Sequence, residues 1–319
     1  MESLVVHTRQ RLEREDGFRG AHSIAWELEA VEVRCPSIAT INRILKRYGL
    51  IEKASSRRPS KGRKYPVPAA THAGSVHQSD FVGPRYLRGP VRFYSLNSVD
   101  VATARCATVP LAGRSNELVV PALWETWMRL GIPTIQQFDN ELVFFGSRLH
   151  PRGLSQVLRL CLMHDVEPMF IPPAEPWRNG VVEKFNDHWQ QKLLSQPMTT
   201  LDELKKRSIE FDARHNSRWR YRKNGDLTPN QVLARSSHSA RMPAELTPPP
   251  LQLPRPTRGR YHFIRFVRSD QELDIFGQKF RLPPETAHEY VQATADIASQ
   301  QLEVRLDGRI VETFDYRRG

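Results

Sequence analysis

Two proline-rich stretches constrain this chain most strongly. KASSRRPSKGRKYPVPAA (residues 53–70) and PAELTPPPLQLPRPTRGR (243–260) interrupt helices and sheet interiors, because proline fixes φ and removes the backbone donor. They read as linkers. The 319 residues divide accordingly into a helical segment (1–52), a basic linker (53–70), a central segment (71–235), a Pro-rich linker (236–257) and a terminal segment (258–319). A chain of this length is expected to hold two or three domains.

The first segment is helical with short loops. In PSIATINRILKRYGL, Ile38, Ile41, Ile44 and Leu45 make one apolar stripe, while Asn42, Arg43, Lys46 and Arg47 point elsewhere. Pro36 and Ser37 give a start signal and Gly49 a stop. Three short helices with a basic last one suit a helix-turn-helix whose last helix enters the DNA major groove; a plain bundle with a solvated basic face suits the same pattern. The basic linker packs Arg57, Arg58, Lys61, Arg63 and Lys64 together. Those charges could follow a phosphate backbone without reading bases, or simply solvate a tether.

The central segment alternates strand-like runs (HAGSVHQSDFV, VRFYSLNSVDVATARCATVPL, IPTIQQFDN) with helical ones (ELVVPALWETWMRLG, PRGLSQVLRLCLMHD, NGVVEKFNDHWQQKLL), an α/β layout. A further helix, LDELKKRSIEFDARHNSRW, follows. The terminal segment is strand-like throughout, and its Asp307-Gly308 pair is a hairpin signal. Short strands with tight turns predict a small β-barrel there.

Charge limits the partners. Lys plus Arg number 47 against 35 Asp plus Glu, a formal net charge of +12, which points to a polyanion: nucleic acid first, an anionic membrane surface second. No apolar run approaches the roughly 18–20 residues of a membrane span, and MESLVVHTRQRLERED lacks a signal-peptide pattern. The expectation is a soluble intracellular protein. Cys35, Cys106 and Cys161 are odd in number and widely separated, which argues against a disulfide framework or zinc knuckle and for reduced, buried thiols.

Three carboxylates stand in unusual settings. Asp80 shares one strand face with Val76, Gln78 and Val82, although aspartate is depleted in strands. Asp139 ends a strand, at the carboxyl edge where α/β sheets carry function. Glu183 begins a helix whose Val182, Phe185, Trp189 and Leu193 form the buried stripe; Glu183, Asn186, Asp187 and Gln190 share a polar face. Three converging hard oxygen ligands suit Mg²⁺ or Mn²⁺, and two such ions serve in-line phosphodiester displacement. Taken singly, each has a plainer use: Asp139 capping a turn, Asp80 pairing with an arginine, Glu183 solvated on its helix.

Together, HQSDFVGP, QQFDN and IPPAEPWRNGVVEKFN resemble the catalytic core of the DDE-type integrases and transposases of bacterial insertion sequences, relatives of the retroviral integrase core. SLNSVDVATARC, MHDVEPMFIPP and RHNSRWRYRKNGDLTPNQVL follow in that family's order. The resemblance implies a multidomain chain: an N-terminal all-α helix-turn-helix, an α/β ribonuclease-H-like core and a C-terminal small β-barrel that binds DNA or aids assembly. It further implies an Asp80, Asp139 and Glu183 triad holding Mg²⁺ (or Mn²⁺), two ions in all, for cleaving mobile-element ends and joining the 3′-hydroxyls to target DNA. The partners implied are double-stranded DNA, further copies of the chain bridging two ends, and accessory transposition proteins, with no membrane; the location implied is the bacterial cytoplasm, at the nucleoid. Trp177, Arg178, Asn179 and Lys184, flanking Glu183, are expected to contact DNA or to position the loop, Arg178 and Lys184 counting with the basic residues above as DNA contacts, and Trp177 equally suits plain core packing. Asp100, Glu141 and Glu175 are the nearest decoys.

Two departures stand out: Asp139-Asn140-Glu141 replaces the family's Asp-Asn-Gly, and the run to Glu183 is longer, which suggests an insertion around VFFGSRLHPRG. A non-catalytic DNA-binding or target-selecting protein with a degenerate core is the competing reading. A tyrosine recombinase using Tyr316 lacks the arginine and histidine framework it needs. If the basic clusters contact about six to ten phosphates, duplex affinity is expected to fall about 10³- to 10⁵-fold between roughly 50 and 200 mM salt. A flat salt response in a fluorescence-polarisation titration would remove the phosphate reading.

Overall fold

The computed structural model describes residues 1–15, 17–51, 64–147, 150, 152–245, 247 and 249–317; Arg57, Arg58, Lys61 and Arg63 lie outside the described residues. The chain opens with α1 (Glu2–Arg14), α2 (Ala21–Ala30) and α3 (Ile38–Arg47). Val5, Leu12, Ile24, Leu28, Ile41, Ile44 and Leu45 form their shared core. The Ser37 side chain accepts the Thr40 amide proton at the start of α3, and Gly49 adopts φ +67° just after it, the left-handed conformation that glycine takes at helix ends. Phe18 then packs against Trp219 and His188 of the central unit.

The central unit runs β1 (Val76–Tyr86), β2 (Arg92–Asp100), β3 (Cys106–Leu111), α4 (Asn116–Leu130), β4 (Ile135–Phe138), α5 (Leu142–Phe145), α6 (Gln156–Met163), β5 (Glu167–Phe170), α7 (Gly180–Leu193), α8 (Leu201–Arg218) and α9 (Pro229–Arg235). β1, β2 and β3 are antiparallel neighbours, whereas β4 pairs parallel to β1 and β5 parallel to β4. This is a mixed α/β architecture around a mixed sheet. The two-residue period of β1 sends Phe81 into an apolar cluster with α4 and α6, and Val82 into a second cluster with α7 and α8. Helices thus cover both faces, and one face of β1 looks at α7. β5 is a strand of four residues that includes Pro168, too short to stand out in MHDVEPMFIPP.

The last segment comprises β6 (Arg260–Phe266), β7 (Glu272–Ile275), β8 (Gln278–Arg281), β9 (Tyr290–Asp296), β10 (Gln301–Leu306) and β11 (Arg309–Asp315). A separate small barrel was the expectation. Instead β6 pairs parallel with β5 through Met169–His262 and Phe170–Phe263, giving one nine-stranded sheet in the order β11-β10-β9-β6-β5-β4-β1-β2-β3, with β7-β8 a hairpin beside it. Without β6, β5 would present an edge of unpaired backbone groups, which invites strand addition. The apolar cluster is continuous as well: Phe138, Phe144 and Phe170 share it with Phe263, Leu273 and Val304. Described residues between 236 and 257 also bond to the central unit. Arg241 donates to the His164 carbonyl (2.6 Å), and Leu253 is buried, its amide bonded to Gln156 (2.9 Å) and its carbonyl to Arg159 (2.9 Å).

Among the described residues no helix is long and apolar enough to cross a membrane. Cys106 and Cys161 are buried and all three cysteines are free. Asp212 ties α8 to β3 and α4, accepting from the Thr108 amide (2.8 Å), the Thr108 hydroxyl (3.0 Å) and Arg129. Asp212→Ala would leave the buried Thr108 amide unpaired and Arg129 with only Glu125, at 3.6 Å, as its ionic partner, so a loss of about 2–4 kcal/mol is expected in urea unfolding. A loss under about 1 kcal/mol would mean that solvent replaces these bonds at little cost.

Candidate functional site

Register brings the first two carboxylates together. On the parallel strands β1 and β4, Gln78 is paired with Gln137. Asp80 follows Gln78 by two residues within β1, on the same face, and Asp139 follows Gln137 by two, just past the end of β4, where its charge acts on Asp80. That face looks at α7.

α7 is pinned to the same two strands. No side chain caps it from its own N-cap position, Asn179; instead the Gln78 side-chain oxygen accepts the amide protons of Val181 (3.0 Å) and Val182 (3.2 Å), satisfying two donors that a helix start leaves open. Gln137 donates to the Arg178 carbonyl (3.0 Å) and the Asn179 side chain (3.1 Å), and Asn179 donates to the Ser79 carbonyl (3.1 Å). Val182, Phe185, Trp189 and Leu193 are buried, as their spacing predicts.

Asn186 differs from its polar-face reading. It is 5% exposed and donates to Asp80 Oδ2 (2.8 Å) while accepting from Asn97 (2.8 Å), which in turn accepts from the Ser95 hydroxyl (2.6 Å). Asn97, its own oxygen taken by Ser95, presents its amide protons to Asn186, so the Asn186 oxygen faces Asn97 and its NH₂ faces Asp80. Asp139 Oδ1 accepts the Glu141 amide proton (3.1 Å), opening the short helix α5. Glu141 itself is held by Arg114 at 2.5 and 2.6 Å.

Electrostatics set the pair apart. Burial, and then the charge of Asp139, push Asp80 up from an ordinary 3.8 to about 7; Glu183 and Glu141 add to the shift. Burial raises Asp139 to about 6, with Glu141 contributing. Glu183 is raised by desolvation and by Asp187. Two crowded, desolvated carboxylates suit a hard divalent cation, which relieves their repulsion and supplies the missing partner. Among the described residues, however, no group of three His, Cys, Asp or Glu could hold a metal ion. Glu183 acts on Asp80 through space without closing a three-carboxylate cluster.

The decoys have structural employment. Asp100 accepts from Gly74 (3.2 Å), Ala102 (3.1 Å) and Thr103 (2.9 Å), and Glu175 from Arg178 (2.9 Å) and the Tyr290 hydroxyl (2.7 Å). Arg178, expected at DNA, lies over the Tyr65 ring at 3.9 Å and the Tyr290 ring at 4.9 Å, in the 3₁₀ turn Pro176–Asn179 that leads into α7. Trp177 is 61% exposed, so it is no core filler. Asn42, Arg43, Lys46 and Arg47 are exposed on α3, and Arg47 is paired with Glu2. Lys64 pairs with Asp307 (2.7 Å), and Lys184 is exposed beside Glu183. The sequence reading passed over Gln78, Gln137 and the role of Asn186; the available signal was glutamine at inward strand positions in HQSD and QQFD.

No protein-family model matches the chain, and no curated protein matches it by sequence. Solved structures similar to it include the HTLV-2 integrase catalytic core domain in complex with magnesium, trimeric form, with 17% identity over 51% of this chain and 97% of that one and a TM-score of 0.39. A chain of the simian T-cell lymphotropic virus intasome in complex with the PP2A regulatory subunit B56 gamma is similar over 98% of this chain and 97% of its own, with 12% identity and a TM-score of 0.44. The catalytic core domain of BIV integrase gives 13% identity over 50% and 94%, with a TM-score of 0.38. At these scores the likeness carries no weight of its own, and the functional reading rests on the chain's topology and carboxylates.

The raised pKa values make a pH prediction. Asp80 binds its proton more tightly folded than unfolded, so the stability this confers is present in full below about pH 4 and is lost as pH rises through about 7. Asp80→Asn is therefore expected to resist urea better than the wild type at pH 8 and to lose that advantage near pH 4. Equal midpoints at pH 8 would show that Asp80 ionises without strain.

Proposed function

We propose that the chain is a DDE-type DNA transposase or integrase with a ribonuclease-H-like core, cleaving DNA at mobile-element ends and joining the 3′-hydroxyls to target DNA. The observation that carries this reading is that Asp80 and Asp139 each follow by two residues the paired Gln78 and Gln137 of β1 and β4, whose side chains seat the start of the helix that bears Glu183. Asp80 and Asp139 would hold the divalent ions, Mg²⁺ or Mn²⁺, with Glu183 as the third ligand. When bound, such ions activate an attacking oxygen and stabilise a leaving one.

The chain's own residues supply the rest. Asn186 orients the Asp80 carboxylate, the Gln78 and Gln137 side chains fix where α7 starts, and Arg178 braces the turn before it. On this reading α3, through Asn42, Arg43, Lys46 and Arg47, reads DNA as the last helix of a helix-turn-helix. The basic stretch at 53–70 and Lys184 add phosphate contacts. Joining two ends calls for more than one copy of the chain, bridged by DNA, and leaves room for accessory transposition proteins; an insertion-sequence origin and a place at the bacterial nucleoid belong to the same proposal.

One observation favours the second reading, a DNA-binding or target-selecting protein with a degenerate core: Glu183 does not complete a three-carboxylate cluster among the described residues. Strand-transfer assays on end-containing DNA with Mg²⁺ separate the two. Wild type is expected to join ends, and Asp139→Asn or Glu183→Gln to lower joining by about a hundredfold or more, some 3 kcal/mol of transition-state stabilisation. Unchanged joining by Asp139→Asn would sink the metal-carboxylate mechanism, and a wild type that binds its true ends without joining them would establish the second reading.

A further inference from the structure

Arg265 lies in β6, far along the chain from the carboxylates, yet it reaches the turn that carries one of them. It is 4% exposed. Nη1 donates to the carbonyls of Ile171 (3.1 Å) and Ile264 (2.9 Å), Nε to that of Asp274 (3.2 Å), and Nη2 to Asn140 Oδ1 (3.0 Å). Asn140 uses its other end to donate to the same Ile171 carbonyl (2.7 Å), closing a triangle. The four acceptors are neutral oxygens, and Phe263 and Phe276 lie against the guanidinium at 5.3 and 5.5 Å.

A buried guanidinium is costly, and an apolar side chain of similar volume often serves stability as well or better. What the planar fork adds is direction: several donors at fixed angles define where their acceptors sit. The turn needs such definition. The β4–β5 ladder ends at Phe138 opposite Phe170, so Asp139 stands just past the last strand pair. Its own bond to the Glu141 amide holds the turn from inside, and Asn140, between those two residues, is held from outside by Arg265. A second tie from the same strands acts on the other loop, where Tyr290 of β9 bonds Glu175 and Glu175 bonds Arg178 ahead of α7.

We propose that Arg265 and Asn140 form a clamp through which the C-terminal strands position Asp139, making those strands a structural part of the candidate metal site. Arg265 and Asn140 are positioning residues, since neither carries the reacting groups. The role toward metal rests on the proposed function; the mechanical coupling does not.

Asn140 and Arg265 line a cleft of about 760 Å³, so water can replace a truncated Asn140 side chain and Asn140→Ala is expected to fold. The test uses the full chain, with Asn140→Ala, Arg265→Lys and the double variant. It reads hydrogen exchange over residues 138–145 without metal, and Mn²⁺ affinity by electron paramagnetic resonance. Each single variant is expected to speed exchange in that segment about tenfold while leaving α3 unchanged, and to weaken Mn²⁺ binding about tenfold, the usual cost of removing an outer support. The double variant is expected to be no worse than the worse single, as befits one shared interaction. Wild-type exchange in Asn140→Ala, or additive effects in the double variant, would overturn the clamp. If Arg265→Lys fails to fold, Asn140→Ala still decides. A wild type that binds no Mn²⁺ would overturn the metal reading of the aspartates, and the exchange arm would then settle the coupling by itself.

Discussion

The amide oxygen of Gln78 takes two protons from the first turn of α7, and much of the site follows from that contact. It docks a helix end onto a strand at a defined level. Two residues further along β1, on the same face, comes Asp80; six residues after Gly180 in α7 comes Asn186, which meets it at 2.8 Å. The parallel partner of Gln78, Gln137, grips the preceding turn from β4. Strand register, helix position and carboxylate placement are therefore one geometric fact seen from three elements. A shift of β1 by one residue would turn Asp80 to the opposite face, toward the cluster that holds Phe81.

Buried aspartates elsewhere in the molecule show what is unusual about this pair. Asp100 is wrapped by three donors, Ala102 and Thr103 of its own turn and Gly74 ahead of β1. Asp212 is raised to about 6, chiefly by burial, much as Asp139 is, so the titration alone does not distinguish them. Their partners do. Asp212 faces Arg129 and both donors of Thr108, whereas the neighbours acting on Asp80 are largely other carboxylates. A fold that half-buries like charges near one another, one within β1 and one just past β4, gives them no role in packing that accounts for them.

Sequence patterning carried the elements and stopped at their mutual rotation. The stripe of Val182, Phe185, Trp189 and Leu193 located the buried side of α7, and the alternation in HQSDFV gave Asp80 its face. Asn186 was misread because it sits at the boundary of that stripe; only the seating of the helix on β1 and β2 decides that it goes under. Gln78 and Gln137 looked like ordinary polar strand residues, since their bonds run to backbone groups more than forty residues away or farther along the chain. The terminal strands were legible as strands, but the two-pair junction between β5 and β6 depends on a strand too short to announce itself. That Leu253, in a proline-rich stretch, bonds Gln156 and Arg159 of α6 is a matter of long-range contacts.

The same long-range contacts bear on how the basic surfaces relate to the carboxylates. α1 and α2 meet the central unit through Phe18 against His188 and Trp219, through Lys192 bonding the Gly17 carbonyl, and through Arg218 shared between Glu15 and Glu27. Two of those partners, His188 and Lys192, lie on α7 itself, the second and third turns beyond Glu183. The exposed Asn42, Arg43, Lys46 and Arg47 of α3 are thus referenced through a packed bundle to the helix that bears Glu183. Among surface ion pairs any single contact contributes little, but an aromatic ring seated between two helices of the central unit adds apolar burial to them. On the proposed function, DNA engaged by α3 would meet the carboxylates at an offset fixed by this packing, with α7 as the element common to both.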